Sequence, residues 1–228
     1  VNANTGTFAS WNWKAGTSFT NDASGTGIGS IDSAGSVNTD AGFSIISYTG
    51  TGSAATVAHG LGSTPKMIIV KNRSSSQHWQ VYHISTGNTK SSQLSGTGTP
   101  DTSAAYWNNT SPTNSVFTIG NGSTVNGGGG SDSYIAYCFA DVQGFSKFSS
   151  YTGNGSNNGT FVYTGFKPAF LLWKDTSNTM NWGIFDNKRD TFNEVENFVK
   201  PNLSDAEASG DYQIDFLSNG FKIYNANG

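Results

Sequence analysis

Gly42-Phe43-Ser44-Ile45-Ile46-Ser47-Tyr48-Thr49-Gly50 opens a stretch that returns as Gly144-Phe145-Ser146-Lys147-Phe148-Ser149-Ser150-Tyr151-Thr152-Gly153. Behind the first come Gly52-Ser53, Val57, Gly60, Pro65, Ile68-Ile69-Val70-Lys71, Trp79 and Val81-Tyr82. Behind the second come Gly155-Ser156, Val162, Gly165, Pro168, Leu171-Leu172-Trp173-Lys174, Trp182 and Ile184-Phe185, in the same order. The offset is 102 residues (145 minus 43) at the start. It is 104 (221 minus 117) where Phe117-Thr118-Ile119 answers Phe221-Lys222-Ile223. Two copies of one unit imply a modular architecture. Repetition suits a binding surface or a structural array better than a single catalytic centre.

The copies are not flush with the chain. The first closes with Tyr134-Ile135-Ala136-Tyr137-Cys138-Phe139-Ala140, and the second carries no such strand after Phe221. A matching pattern, Phe8-Ala9-Ser10-Trp11-Asn12-Trp13-Lys14, stands instead at the start. Two readings follow, and both can hold together. The chain is a piece of a longer array, or its first strand completes the second copy near Tyr212–Tyr224. The second option would cover an open sheet edge, which is an aggregation hazard.

The expected organisation is therefore a closing strand at 1–15, a Gly/Ser-rich linker or insertion at 16–41, one β repeat at 42–143 and a second at 144–228. Short β-branched or aromatic runs bounded by Gly, Asn, Ser and Pro supply about six strands per unit. Ser218-Asn219-Gly220 between two such runs signals a hairpin, because Asn-Gly readily takes positive φ. Helix is expected only at Asn193–Val199 and Ser204–Ala208, separated by Pro201. A unit of this length is too long for a propeller blade. The expected fold is all-β: two tandem antiparallel β-sandwich units of lectin or jelly-roll type.

Composition narrows the function. Charged residues are 12% of the chain, against about 25% in an average domain, while aromatics reach 13%. Disorder favours the opposite balance. The net charge is −3 and no Lys/Arg cluster occurs, so no nucleic-acid partner is expected. No apolar run approaches the roughly 18 residues of a membrane span, so no membrane insertion is expected. Cys138, the one cysteine, lies in an apolar strand pattern and reads as a buried free thiol.

Gly42–Gly50, Ala58-His59-Gly60-Leu61-Gly62, Pro65–Arg73, Tyr134–Ala140 and Tyr163–Phe170 together resemble the repeated segments of distal tail and tail-fibre-like proteins of tailed bacteriophages, many from marine samples. The resemblance spans nearly the whole chain. It implies a lectin-like host-recognition role on the virion tail, facing outward, with host-surface glycans and other tail proteins as partners. In that family the tyrosine-rich strand follows the Phe221-Lys222-Ile223 pattern directly. Its displacement here supports an excised fragment.

The residues themselves carry no catalytic signature. His59 has Thr164 as its repeat counterpart, and His83 has Asp186. All three glutamates, Glu194, Glu196 and Glu207, lie in the second copy. A polysaccharide depolymerase, which needs paired carboxylates in a cleft, is thus one rival reading; a structural spacer is the other. No cofactor is expected. Calcium remains a possible ligand, with Asp186, Asp190 and Asp205 as weak candidates.

Sugar recognition needs an aromatic face for the C–H surface of a pyranose and side chains that hydrogen-bond its hydroxyls. The candidates are Trp107, Asn108 and Asn109 in a polar loop, Arg73 and His83 in the first copy, and Trp182, Asp186, Asn187 and Arg189 in the second. Asn and Thr around Trp107 suggest exposure. Trp79 and Trp182 share one repeat position, which also suits a common core role. Arg73 and Arg189 are the only arginines, so each is expected to have a specific partner, an acid or a ligand.

Overall fold

Strict alternation builds the strands. In Ser133–Phe139, Tyr134, Ala136 and Cys138 are fully buried on one face, while Ile135, Tyr137 and Phe139 point to the other. That is the period of a strand covered unequally on its two faces. The computed structural model describes residues 4–5, 8–14 and 16–224.

Among the described residues there are fifteen strands. The first ten are β1 (Thr17–Asn21), β2 (Ser33–Asn38), β3 (Phe43–Thr49), β4 (Ala55–Ala58), β5 (Met67–Asn72), β6 (Gln80–His83), β7 (Lys90–Gln93), β8 (Asp101–Thr102), β9 (Val116–Ile119) and β10 (Ser133–Phe139). The last five are β11 (Asn158–Tyr163), β12 (Phe170–Lys174), β13 (Trp182–Asp186), β14 (Gln213–Leu217) and β15 (Gly220–Tyr224). Three one-turn helices, α1 (Ala23–Thr26), α2 (Ala104–Trp107) and α3 (Ser123–Asn126), punctuate the first unit.

The fold is an all-β sandwich. In the first unit, β1-β2-β3-β10-β5-β6-β7-β8 form one sheet and the β4-β9 ribbon packs on it. Ile46, Tyr48, Val57, Ile68, Val70, Tyr82, Trp107, Phe117 and Tyr134 fill the space between them. In the second unit, the β11-β15-β14 sheet faces the β12-β13 pair around Val162, Phe185, Phe198, Ile214, Phe216 and Phe221.

The repeat holds at the level of strand register. Val57 pairs with Phe117, and Val162 with Phe221. Met67 and Ile68 pair with His83 and Tyr82, as Phe170 and Leu171 pair with Asp186 and Phe185. Tyr48 meets Phe117 edge-on at 6.2 Å, and Tyr151 meets Phe221 edge-on at 6.1 Å. The Ser218-Asn219 turn joins β14 to β15, with Leu217 opposite Gly220.

The two units touch through one cluster: Met67, Val81 and Trp182, with Ile69, Leu94, Phe139, Phe148 and Leu172 packed around them. Ile69 and Leu172 are repeat counterparts. The contact is otherwise unsymmetrical: Trp79, the counterpart of Trp182, stacks on Tyr137 within the first unit. The Trp182 indole N–H donates to Gln93 O at 2.9 Å, and the Met180 N–H to Thr97 O at 3.0 Å.

Four expectations are corrected. Residues 16–41 are not a linker: they supply β1 and β2, which extend the large sheet from β3. Gly35 passes so close to Ile45 O that an added Cβ would lie 1.8 Å from it, so a composition that reads as loop is required by strand packing. Residues 8–13 form no strand with β14 or β15, and residues 145–151 form none either. Asn193–Val199 and Ser204–Ala208 are not helices: Val195, Phe198 and Val199 make isolated β-bridges to Ile214, Ala208 and Ile184.

His59, in the turn after β4, is wholly buried. Its Nδ1 accepts from the Leu61 N–H, so Nε2 carries the proton and donates to Thr113 O, at 3.2 Å in each case. Burial lowers its pKa from 6.5 to about 4, and the bond to Thr113 opposes only part of that. The unfolded chain therefore binds this proton first as pH falls. Stability is lost from about pH 6.5 down to about pH 4, by roughly 3 kcal/mol from this group. Denaturant unfolding at about pH 7 and about pH 4 should show a drop that is smaller by most of that amount in His59→Gln. An equal drop in both proteins would contradict the assignment.

Candidate functional site

One cleft in the second unit combines aromatic walls with polar groups. It has a volume of about 230 Å³ and is lined by Trp173, Thr179, Met180, Asn181, Trp182, Phe198, Lys200, Asp211 and Tyr212. That is below the roughly 300–1,000 Å³ of drug-sized pockets, a size suited to one small ring.

The strand pairing explains how the cleft forms. Trp173 on β12 stands opposite Gly183 on β13. A Cβ on Gly183 would lie 2.3 Å from the Trp173 indole nitrogen, so the missing side chain lets the ring lie across β13. The matching pair in the first unit is Val70 and Gln80, which cannot build such a wall. Tyr212 meets Trp173 edge-on at 5.1 Å and Phe198 at 5.2 Å. Trp182 is buried and forms both the cleft wall and the contact with the first unit.

The polar lining is partly held in place. Asn181 Oδ1 accepts from the Asn202 amide at 2.7 Å, and Asn202 Oδ1 accepts from the Trp182 N–H at 3.0 Å. The Asn181 side-chain nitrogen makes no hydrogen bond among the described residues. Lys200 lies 5.9 Å over the Phe198 ring and 3.6 Å from Asp205. Burial, with the negative charges of Asp211 and Asp175, raises the Tyr212 phenol, which therefore stays a protonated donor. Asp211 is exposed and is the one carboxylate in the lining.

The sequence-named residues are dispersed. Trp107 is a correction: it is 1% exposed, in the first core, edge-on to Tyr82 at 5.8 Å. Its neighbours are polar because the chain must turn there. Asn108 caps α2 at φ 48° and Asn109 follows at φ 50°, a left-handed conformation that Asn tolerates. Both are exposed. Arg73 is exposed after β5 and forms no salt bridge among the described residues. His83 ends β6, accepts from the Ser85 N–H and is lowered by burial, with Asp141 opposing.

Asp186, Asn187 and Arg189 lie at the far end of β13 from Trp182 and the cleft. Arg189 Nε donates to Asp186 at 2.9 Å, Nη1 to Glu207 at 3.1 Å and Nη2 to Ile184 O at 2.8 Å. Burial raises the Asp186 carboxyl, but the N–H groups of Arg189 and Lys188 and the guanidinium together hold it below its usual value. The Trp11 indole N–H donates to the same carboxylate at 3.2 Å, under the guanidinium at 5.7 Å. Asn187 gives its N–H to Ala169 O. This cluster is a structural clamp between acid and arginine. Asp190 is taken up by the N–H groups of Glu196 and Asn197, and Asp205 faces Lys200. No group of three or more His, Cys, Asp or Glu side chains able to hold a metal occurs among the described residues.

The sequence signature of DUF7483, a domain of unknown function, matches residues 1–228. The chain belongs to the DUF7483 family. No curated protein and no solved structure matches it. Within this DUF7483 chain the sequence points to the cleft only through Asn181-Trp182, at the start of β13. Trp173 reads as a strand residue, and Lys200, Asp211 and Tyr212 reach the site from a distant segment. The departure of Trp173 and Gly183 from their repeat counterparts was the available signal.

Asp186 accepts bonds from two backbone N–H groups, the guanidinium and an indole, nearly all out of water. Asp186→Asn should therefore destabilise the protein by about 3 kcal/mol, measured by denaturant unfolding. A change within about 0.5 kcal/mol would show the clamp to be incidental.

Proposed function

We propose that this domain is a non-enzymatic carbohydrate-binding, host-recognition module of a phage tail protein, and that the Trp173–Tyr212 cleft takes the sugar. The observation that carries this is the lining itself. Trp173 and Tyr212 offer ring faces for the C–H surface of a pyranose. Asn181, Lys200 and Asp211 offer donors and an acceptor for its hydroxyls. The single carboxylate favours binding over a two-acid hydrolysis. The setting on a virion tail, with host-surface glycans and other tail proteins as partners, rests on the family resemblance of the repeated segments.

The Trp173–Tyr212 cleft lies beside the contact between the units, in which Trp182 packs with Met67 and Val81.

The test is a glycan array followed by titration calorimetry. Trp173→Ala and Tyr212→Ala should each lower affinity about tenfold or more, since burying one aromatic ring contributes at least the ~1.4 kcal/mol that a factor of ten requires. Gly183→Ala should do the same by displacing the Trp173 ring, while Arg73→Ala should leave affinity unchanged. Retention of no glycan would favour the spacer, and release of reducing ends from a polysaccharide would favour a depolymerase.

A further inference from the structure

One backbone group fixes the hydrogen-bonding sense of the cleft. The Trp182 N–H can only donate, so the Asn202 atom 3.0 Å from it is the side-chain oxygen. The Asn202 nitrogen then donates to Asn181 at 2.7 Å, so the Asn181 atom that receives it is also the oxygen. The Asn181 amide is thus oriented by the chain itself, and what it has left for a ligand is its NH2 group, a donor. The one carboxylate of the lining, Asp211, can only accept when ionised. Donor and acceptor come from separate segments, Asn181 just before β13 and Asp211 just before β14.

Three other lining side chains offer a hydroxyl no good partner. Trp182 and Phe198 are buried, and the Trp182 indole N–H already donates to Gln93 O at 2.9 Å. Phe198 has no polar side-chain atom, and the Met180 thioether is a weak acceptor. A hydroxyl set against these groups would lose its water without replacement, whereas burial of a methyl group there is favourable. The charges do not suit an acid either. Lys200, the one cation of the lining, lies 3.6 Å from Asp205. The negative charges of Asp211 and Asp175 both reach the Tyr212 phenol. A carboxylated sugar would bring a like charge to that wall.

We propose that the ligand of this cleft is an N-acetylated hexosamine, an inference that rests on the reading of the cleft as a sugar site. The acetamido C=O accepts from the Asn181 NH2 group, the acetamido N–H donates to Asp211, and the methyl group packs on Met180, Trp182 and Phe198. The C–H surface of the sugar ring is left for Trp173 and Tyr212. The acetamido group is the one common sugar substituent that combines an acceptor, a donor and an apolar end, which are the three partners this lining calls for.

The test is saturation-transfer NMR with competition titration on the intact protein, using methyl glycosides of N-acetylglucosamine, N-acetylgalactosamine, glucose, galactose and glucuronic acid. At least one N-acetylated sugar should bind about tenfold or more tightly than its matched hexose, from an added hydrogen bond and a buried methyl group. Its acetyl protons should carry the strongest saturation. Equal affinity for the matched hexoses, or tightest binding of the glucuronide, would overturn this inference and leave the sugar reading standing. Saturation of none of these sugars would overturn both. Asn181→Asp gives a second reading, because it keeps the oxygen that Asn202 bonds and removes the NH2 donor. The preference for the N-acetylated sugar should fall to near parity in this variant, with its fold checked by melting temperature. A folded Asn181→Asp protein that keeps the full preference would also overturn the inference.

Discussion

The Trp182 side chain holds the molecule together. Its ring sits among Met67 and Val81 of the first unit, and its N–H is satisfied by Gln93 O across the junction. Two sandwiches of this size bury little apolar area each, so a shared apolar contact matters to both. The same ring closes one side of the Trp173–Tyr212 cleft. The joint between the units and the candidate site are thus one piece of structure. Met180, which also lines the cleft, is bound to the first unit through Thr97.

The two copies of the scaffold differ at a few positions that shape their surroundings differently. Val70 and Gln80 pair across β5-β6 in the first unit and are fully buried. Trp173 and Gly183 at the same positions raise an aromatic wall. At the position of His83 the second unit has Asp186, which holds Arg189 and Trp11, with Glu207 on the same guanidinium, in a clamp at the far end of β13. Tyr212 then reaches the wall from the segment before β14. The polar face of the site comes from turns, where side chains are free of the core.

Much of this architecture is legible in the sequence, because a repeat constrains both copies at once. The pairs Val57–Phe117 and Val162–Phe221 could be placed by alignment of the chain with itself, and so could the β14-β15 hairpin. Composition misled where packing overrides it. Gly35 reads as loop yet is the only residue type that fits against Ile45 O. Asn108 and Asn109 suggest a wet tryptophan, but they serve the turn that follows a buried one. Asn193 and Ser204 read as helix caps, while Val195 and Phe198 are drawn into the second core and, with Val199, make bridges to neighbouring segments. The cleft was the least legible feature. It depends on residues from three separated segments meeting over a glycine.

The central claim is that two equivalent units are coupled through the Trp182 contact. Scanning calorimetry of the intact protein and of Trp182→Ala tests it most directly. The account predicts one two-state transition in the intact protein, with calorimetric and van't Hoff enthalpies equal, and two resolved transitions in the variant, the lower from the second unit. A variant that still melts in a single transition at the unchanged temperature would contradict it.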